Sequence, residues 1–323
     1  MIVAGDIGGT HTRLVLHDDG GGPVRREQTF LNAAFPGFEA ALGRFLDEAG
    51  RPQVTSAAFA VAGTVLGGHV RMTNLGWSFD EQALARALGG ARVRLLNDLE
   101  AAAYGVPLLP AEELRTIAMG RPSTRGNFAV IAAGTGLGEA IVTWHGETPI
   151  GIASEGGHAD FAPRDETDVA LFQWLAAQRS HVSWEAVVAG PSIVKIYEFL
   201  RDTGREQEPA ALRDELAAAP EPSVVITRAG IADVHPICVH VLDVFVRAYG
   251  AEAGNLALKC LALGGIYIAG GIAPHLLEGR WSDRFMEAFV DKGRYTELLR
   301  TIPVRIVLSE RASLVGAAAV ASR

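Results

Sequence analysis

The chain has 323 residues, 49% of them hydrophobic and 20% charged, a profile that excludes a disordered or fibrous protein and leaves enough length for two ordinary domains. Its 29 Lys and Arg against 37 Asp and Glu give a formal charge of −8, with no block of like charge. That excludes the electrostatic footprint of a nucleic-acid binder or of a protein drawn to an anionic membrane, and favours a small-molecule partner.

Cys238 and Cys260 are the only cysteines. They lack Cys-x-x-Cys or paired-His spacing, so neither a disulfide framework nor a zinc site is indicated, and a reducing compartment fits. The N-terminal run lacks a basic segment, and the most apolar stretch, CLALGGIYIAGGIA, is broken by glycines. The reading is a cytoplasmic protein.

In chain order, MIVAG and TRLVL read as strands joined by the glycine turn of GDIGGTHTR. Gly8 and Gly9 lack Cβ atoms, which lets backbone N–H groups approach an anion, and Thr10 adds a hydroxyl donor. Asp6, just ahead of the turn, offers a hard oxygen ligand to magnesium, directly or through water. An ordinary hairpin whose glycines supply positive φ has the same spelling.

FEAALGRFLDEAG follows as a helix, SAAFAVAG and RVRLL as strands. In RLLNDLE, Asn97 stands at an N-cap with Glu100 three residues on, a capping box. The same Asn97 and Asp98 could instead touch a substrate, and local rules leave both readings open. Pro107 and Pro110 follow the helix end at Gly105, which puts a domain boundary near residue 108.

NFAVIAAGTGLGEAIVTWHGE then repeats the N-terminal layout of strand, glycine turn and strand, with Gly134, Thr135 and Gly136 in the turn and Gly138 after it. Two such turns about one domain apart suggest a duplicated architecture. Neither is a P-loop or a dinucleotide fingerprint, because no Gly-Lys-Ser or Gly-Lys-Thr follows and each turn leads to a strand. In SEGGHADFAP, His158 lies between glycines and Asp160, a loop histidine without metal-ligand partners, and Asp160 reads as a loop-orienting carboxylate. Glu185 in SWEAVVAG follows Ser183 at an expected helix start, where a Glu serves the helix dipole.

Residues 201–222 read as an exposed helical excursion, and PICVHVLDVFVRAY as an amphipathic helix with Cys238, Val241, Leu242, Phe245, Val246 and Tyr249 on its core face. GGIYIAGGIAPHLL is strand, double glycine and helix, so Gly270 and Gly271 could present backbone to a nucleoside. VRIVLSERASLVGAAAV is a strand and a small-residue helix that could return to the first domain. The alternation throughout argues for α/β layering.

DIGGT, LLNDLEAAAYG, GTGLG, SEGGHADFAP, SWEAVVAGPSIVKIY and YIAGGI, in this order and spacing, resemble the bacterial glucokinase family of the actin-like, hexokinase-type ATPase superfamily. The resemblance spans essentially the whole chain. It implies an α/β fold of two actin-like ATPase (ribonuclease H-like) domains flanking a deep cleft that closes on sugar, with residues 1–108 and 302–323 forming the smaller domain and 109–301 the larger. The C-terminal strand and helix would complete the smaller one.

Carried over residue by residue, the resemblance makes Gly8, Gly9 and Thr10 the first phosphate hairpin, Gly134, Thr135 and Gly136 the second, and Gly270 and Gly271 the adenosine-side turn. It assigns sugar contacts to Asn97, Asp98, Glu155, His158 and Glu185. Thr73, Asn74 and Trp77 resemble a family segment near the cleft without an assigned contact, and His11 stands where the family usually has Asn. The implied partners are ATP with Mg2+ and glucose, and family habit adds a homodimer.

The chemistry is coherent. Carboxylates, amides and an imidazole suit a ring of hydroxyls, and Asp98 at a helix N-terminus, which favours the anion, would take the proton of the sugar 6-hydroxyl as it attacks the γ-phosphorus. A kinase for another hexose, a non-catalytic sugar sensor and a protein-coupled ATPase remain as alternatives. The sensor reading expects a DNA-binding helix-turn-helix ahead of the first turn, where Asp6 has five residues before it.

Overall fold

The computed structural model describes residues 1–72, 75–121, 123 and 125–323 as two compact units. One comprises Met1–Glu113, Ala140–Ala153 and Ser309–Arg323; the other comprises Leu114–Glu139 and Ser154–Leu308.

The first unit contains strands β1 (Ile2–Ile7), β2 (His11–His17), β3 (Val24–Leu31), β4 (Ser56–Val61), β5 (Val65–Leu66), β6 (His69–Met72), β7 (Trp77–Asp80) and β8 (Arg92–Asn97). Its helices include α1 (Phe38–Glu48), α2 (Glu81–Ala87) and α3 (Asp98–Gly105). The main sheet runs β3-β2-β1-β4-β8, with β1 antiparallel to β2 and parallel to β4. Every residue of β4 is buried, as a central strand covered on both faces requires.

The two faces follow the period of two. Val3, Ile7, Leu14, Phe59 and Val61 pack with Phe38 and Phe45 of α1. Ile2, Ala4, Ala58, Ala60 and Leu96 pack with Ala101, Leu314 and Ala317 on the other side. Those small residues let α3 and the C-terminal helix Ala312–Ala321 cross at close range. A Cβ at Gly316 would lie 1.7 Å from the Ala101 carbonyl oxygen, and one at Gly105 would lie 2.0 Å from that of Ala312. The helix that begins at Asp98 is thereby held rigidly from behind.

A six-stranded sheet contains β9 (Leu114–Ala118), β10 (Phe128–Ala133), β11 (Leu137–His145), β12 (Thr148–Ser154), β13 (Gly265–Ala269) and β14 (Val304–Val307), in the order β12-β11-β10-β13-β14-β9; β9, β10, β13 and β14 belong to the second unit, and Ala140–Ala153 of β11 and β12 are grouped with the first. The helices of the second unit are α4 (Glu166–Ala176), α5 (Gly190–Asp202), α6 (Ala210–Ala218), α7 (Pro222–Ile231), α8 (Pro236–Cys260), α9 (Ala273–Leu276), α10 (Arg280–Val290) and α11 (Thr296–Arg300). On α8, Cys238, Val241, Leu242, Phe245, Val246 and Tyr249 are all fully buried, the core face that the spacing predicts. Helix α6, in the 201–222 segment, buries only Leu212.

The C-terminal helix Ala312–Ala321 is grouped with the first unit and β14 with the second. β14 pairs parallel with β13 and antiparallel with β9, because Val304 and Ile306 find full burial there. Among the described residues no single helix is long and apolar enough to cross a membrane.

Candidate functional site

In the first unit the turn between β1 and β2 is exposed at Gly9 and Thr10. Gly8 N–H donates to the His11 carbonyl at 2.9 Å. Neither Gly8 nor Gly9 has positive φ, and a Cβ at Gly9 would meet nothing within 4 Å. The turn joins an antiparallel hairpin, but positive φ does not account for its glycines; the bare backbone at Gly9 faces open space.

Asn32, which follows β3, secures this turn. Its backbone N–H donates to the Thr10 carbonyl at 2.9 Å, its Nδ2 donates to the Gly8 carbonyl at 2.8 Å, and its Oδ1 accepts from Thr12 Oγ1 at 2.7 Å. A pocket of about 380 Å³ beside the turn is lined by Asp6, Gly8, His11, Arg13, Thr29 and Glu310. The Asp6 carboxyl is raised to about 6 by burial and by the neighbouring charge of Asp98, with Arg13 opposing.

The capping-box reading of RLLNDLE is correct. Asn97 Oδ1 accepts from the backbone N–H groups of Leu99 and Glu100 at 2.9 and 3.4 Å, and its Nδ2 donates to the Gly63 carbonyl at 3.1 Å. Burial raises the Glu100 carboxyl, with Arg94 and then the Asn97 backbone opposing. The cap fixes the helix start and with it Asp98, whose Oδ1 accepts from Leu99 N–H at 2.9 Å. Asp98 lies close enough to raise Asp6 electrostatically.

In the second unit the turn at Gly134, Thr135 and Gly136 is closed by Gly134 N–H donating to the Gly136 carbonyl at 2.9 Å, and Gly190 N–H donates to the Gly134 carbonyl at 2.8 Å. Glu185 Oε2 accepts from Leu137 N–H at 2.9 Å, and its Oε1 stands 4.0 Å from His158 Nδ1. The expected helix start at Glu185 is absent. The segment is a turn held by Val187 and Val188 N–H groups donating to the Trp184 carbonyl, and the helix begins at Gly190, so Glu185 has no helix dipole to serve.

Glu155 and His158 are exposed on a turn closed by His158 N–H donating to the Glu155 carbonyl at 2.9 Å. The two glycines between them are required by close packing. A Cβ at Gly157 would lie 2.0 Å from the Leu137 carbonyl oxygen, and one at Gly156 would lie 2.0 Å from Glu139 Oε2. Glu139 is buried beneath this turn, and its Oε1 has no hydrogen-bond partner among the described residues. Burial and the neighbouring Glu252 raise its carboxyl strongly. Asp160 orients the loop through His181, 3.3 Å away.

Gly270 has φ +84°, and its absent Cβ would meet the Ala133 carbonyl oxygen at 2.4 Å, so only glycine fits between β13 and the second turn. Beyond it, Gly271 and Ile272 line a mostly apolar pocket of about 480 Å³ with Ile193, Thr227, Ile231 and His275.

The structure thus gathers Glu155, His158, Glu185 and the turn at 134–136 in one unit, and Asp6, Asn97, Asp98 and the turn at 8–10 in the other. Thr73 and Asn74 lie outside the described residues; Trp77 is buried opposite Met72. Asn32 and Glu139 escape a sequence reading. An Asn after a strand reads as a turn residue, and a Glu inside an apolar strand reads as an outward-facing one.

A family model described as Glucokinase matches residues 3–323. The chain is 38% identical to a glucokinase of Nostoc punctiforme, over 100% of this chain and 99% of that one. It is 34% identical to a glucokinase of Klebsiella pneumoniae, over 98% and 95%. The crystal structure of a glucokinase from an Antarctic psychrotroph superposes with a TM-score of 0.85 at 30% identity, covering 99% of this chain and 98% of that one.

Proposed function

The chain belongs to the glucokinase family, whose reaction is the ATP-dependent phosphorylation of glucose, and we propose that Asp98 is the base that serves this reaction at the 6-hydroxyl. The observation that carries the assignment is the placement of the Asp98 carboxylate at a capped, rigidly backed helix start, within electrostatic reach of Asp6. In the proposed step O6 of glucose bonds to the γ-phosphorus, the bond from that phosphorus to the bridging oxygen breaks, and ADP leaves. The proton of O6 passes to Asp98. Such transfers are loose, so the proton departs late and a weak base suffices; positioning and charge neutralisation are the larger contributions.

The turns Gly8, Gly9 and Thr10, and Gly134, Thr135 and Gly136, are the proposed cradles for the phosphates of ATP, Gly8 N–H and Gly134 N–H serving to close the turns. Gly270 and Gly271 form the proposed adenosine-side turn, and Gly271 lines the apolar pocket suited to the adenosine. Asn97, Asp98, Glu155, His158 and Glu185 are the proposed glucose contacts, a set of donors and acceptors that would leave a polar group unmatched by the wrong epimer.

Among the described residues no cluster of three or more His, Cys, Asp or Glu could hold a metal alone. Asp6 beside Asp98 nevertheless fits magnesium, which takes one or two carboxylates and completes its shell with phosphate and water. Asp6 would hold magnesium through water, and the ion would supply charge neutralisation for the phosphates of bound ATP. Two free cysteines accord with a reducing cytoplasm, and a homodimer follows family habit.

Phosphorus NMR of the product tests the reading. Glucose 6-phosphate with stoichiometric ADP is expected, and transfer to any other glucose oxygen would contradict it.

A further inference from the structure

The turn at Gly8 to Thr10 is useful to a phosphate only if its peptide planes present N–H groups outward, and glycine planes turn over readily. In a trans peptide the carbonyl and the next N–H point to opposite sides, so whatever grips the Gly8 carbonyl decides where Gly9 N–H points. That grip is Asn32 Nδ2, at 2.8 Å. The Thr10 carbonyl is held by Asn32 N–H at 2.9 Å, and the His11 carbonyl by Gly8 N–H at 2.9 Å. Three carbonyl oxygens around the turn are thus tied inward.

Asn32 is well suited to the task. It is 2% exposed, and its amide orientation is fixed by Thr12 Oγ1 donating to Oδ1 at 2.7 Å. Its own carbonyl accepts from Phe35 N–H at 3.0 Å. A buried amide engaged at both ends is rigid and has one orientation that satisfies all its partners.

We propose that Asn32 is a positioning residue for phosphate binding, acting by locking the peptide planes of Gly8 and Thr10 so that the turn's N–H groups face the ligand. The proposal rests on the reading of this turn as a phosphate site. It assigns a role in ATP affinity to a buried side chain at the end of β3 that touches no substrate.

Asn32→Asp tests it, because the carboxylate keeps the size and the acceptor for Thr12 but sets an oxygen against the Gly8 carbonyl. The expected result is a rise of about tenfold in KM for MgATP with KM for glucose within about twofold. A merely structural role would lower thermal stability and active fraction and leave both KM values unchanged. Thr12→Val, which frees Oδ1 without touching the clamp itself, is expected to move KM for MgATP the same way by about threefold. It serves if the Asp variant does not fold.

Gly9→Val separates the two claims, since its backbone tolerates a side chain that would occupy the anion's space. A raised KM for MgATP in Gly9→Val beside unchanged values in both other variants would overturn the role of Asn32 alone. No change in Gly9→Val would overturn the phosphate reading, and the proposal with it. Equal rises in both KM values for the Asn32 and Thr12 variants would also overturn it, as general disruption.

Discussion

The Glu185 carboxylate joins two loops: Oε2 accepts from Leu137 N–H at 2.9 Å, directly after the second glycine turn, while Oε1 stands 4.0 Å from His158 Nδ1. The gap at Gly136 is what permits this, since a Cβ there would lie 2.4 Å from Oε2. Gly136→Ala should therefore displace Glu185 without removing it and raise KM for glucose by about tenfold or more, the scale of a hydrogen bond to a charged group. Initial-rate kinetics check this, and an unchanged glucose dependence would detach Glu185 from the sugar.

Asp98→Asn keeps the shape of the helix start and removes the base. Turnover should fall by about 10² to 10⁴, while glucose binding measured by calorimetry stays within a few-fold. Turnover near that of the parent would leave RLLNDLE with its capping box alone.

Asp6 combines a cost to stability with a proposed role in activity. Burial first and Asp98 second raise its pKa in the folded protein to about 6, so the folded protein keeps a proton that the unfolded chain releases near the ordinary 3.8 of that group. Stability contributed by the protonated form is present below that value, falls as pH rises towards 6, and is lost above it. Asp6→Asn should accordingly raise the melting temperature of the ligand-free protein at pH 7 to 8, a gain on the order of 1 to 3 kcal/mol. Turnover should drop at the same time. A variant less stable than the parent at that pH would show that the carboxylate is held by favourable contacts instead.

Glu139 extends the same sign to higher pH. With burial first and Glu252 second, its carboxyl is pushed up to about 8, while Lys259 opposes. Tyr249 and Cys260, also on α8, feel its charge. The folded state thus holds a proton from the ordinary 4.5 of the group up to about 8, and stability declines as pH rises across that interval. Glu139→Gln should flatten the decline. Denaturant midpoints of parent and variant falling in parallel between about pH 6 and 9 would contradict this.

Much of this was legible because burial and backbone geometry leave strong marks on sequence. The paired strands around Gly8 and Gly134, the fully buried β4 and the core face of α8 all follow from apolar runs and helical spacing. Asn97 and Glu100 announce a helix start by type and spacing. Val304 and Ile306 only demand burial, and the pairing of their strand with β13 depends on contacts distant in sequence. Glu185 misled for a related reason: Ser183 before a Glu spells a helix start, but Gly157 claims Glu185 N–H through its carbonyl and turns the chain away. The short sheet of β5, β6 and β7 carries too little periodicity to be read. Asn32 and Glu139 acquire meaning only from groups that the fold brings to them.

The most direct measurement is ADP release by the purified protein with ATP and magnesium, first without sugar and then with glucose, mannose, fructose, galactose and N-acetylglucosamine in turn. The account predicts little release without sugar and stimulation chiefly by glucose. Sugar-independent hydrolysis, or measurable glucose binding with no stimulated release, would contradict it and remove Asp98 from the reaction.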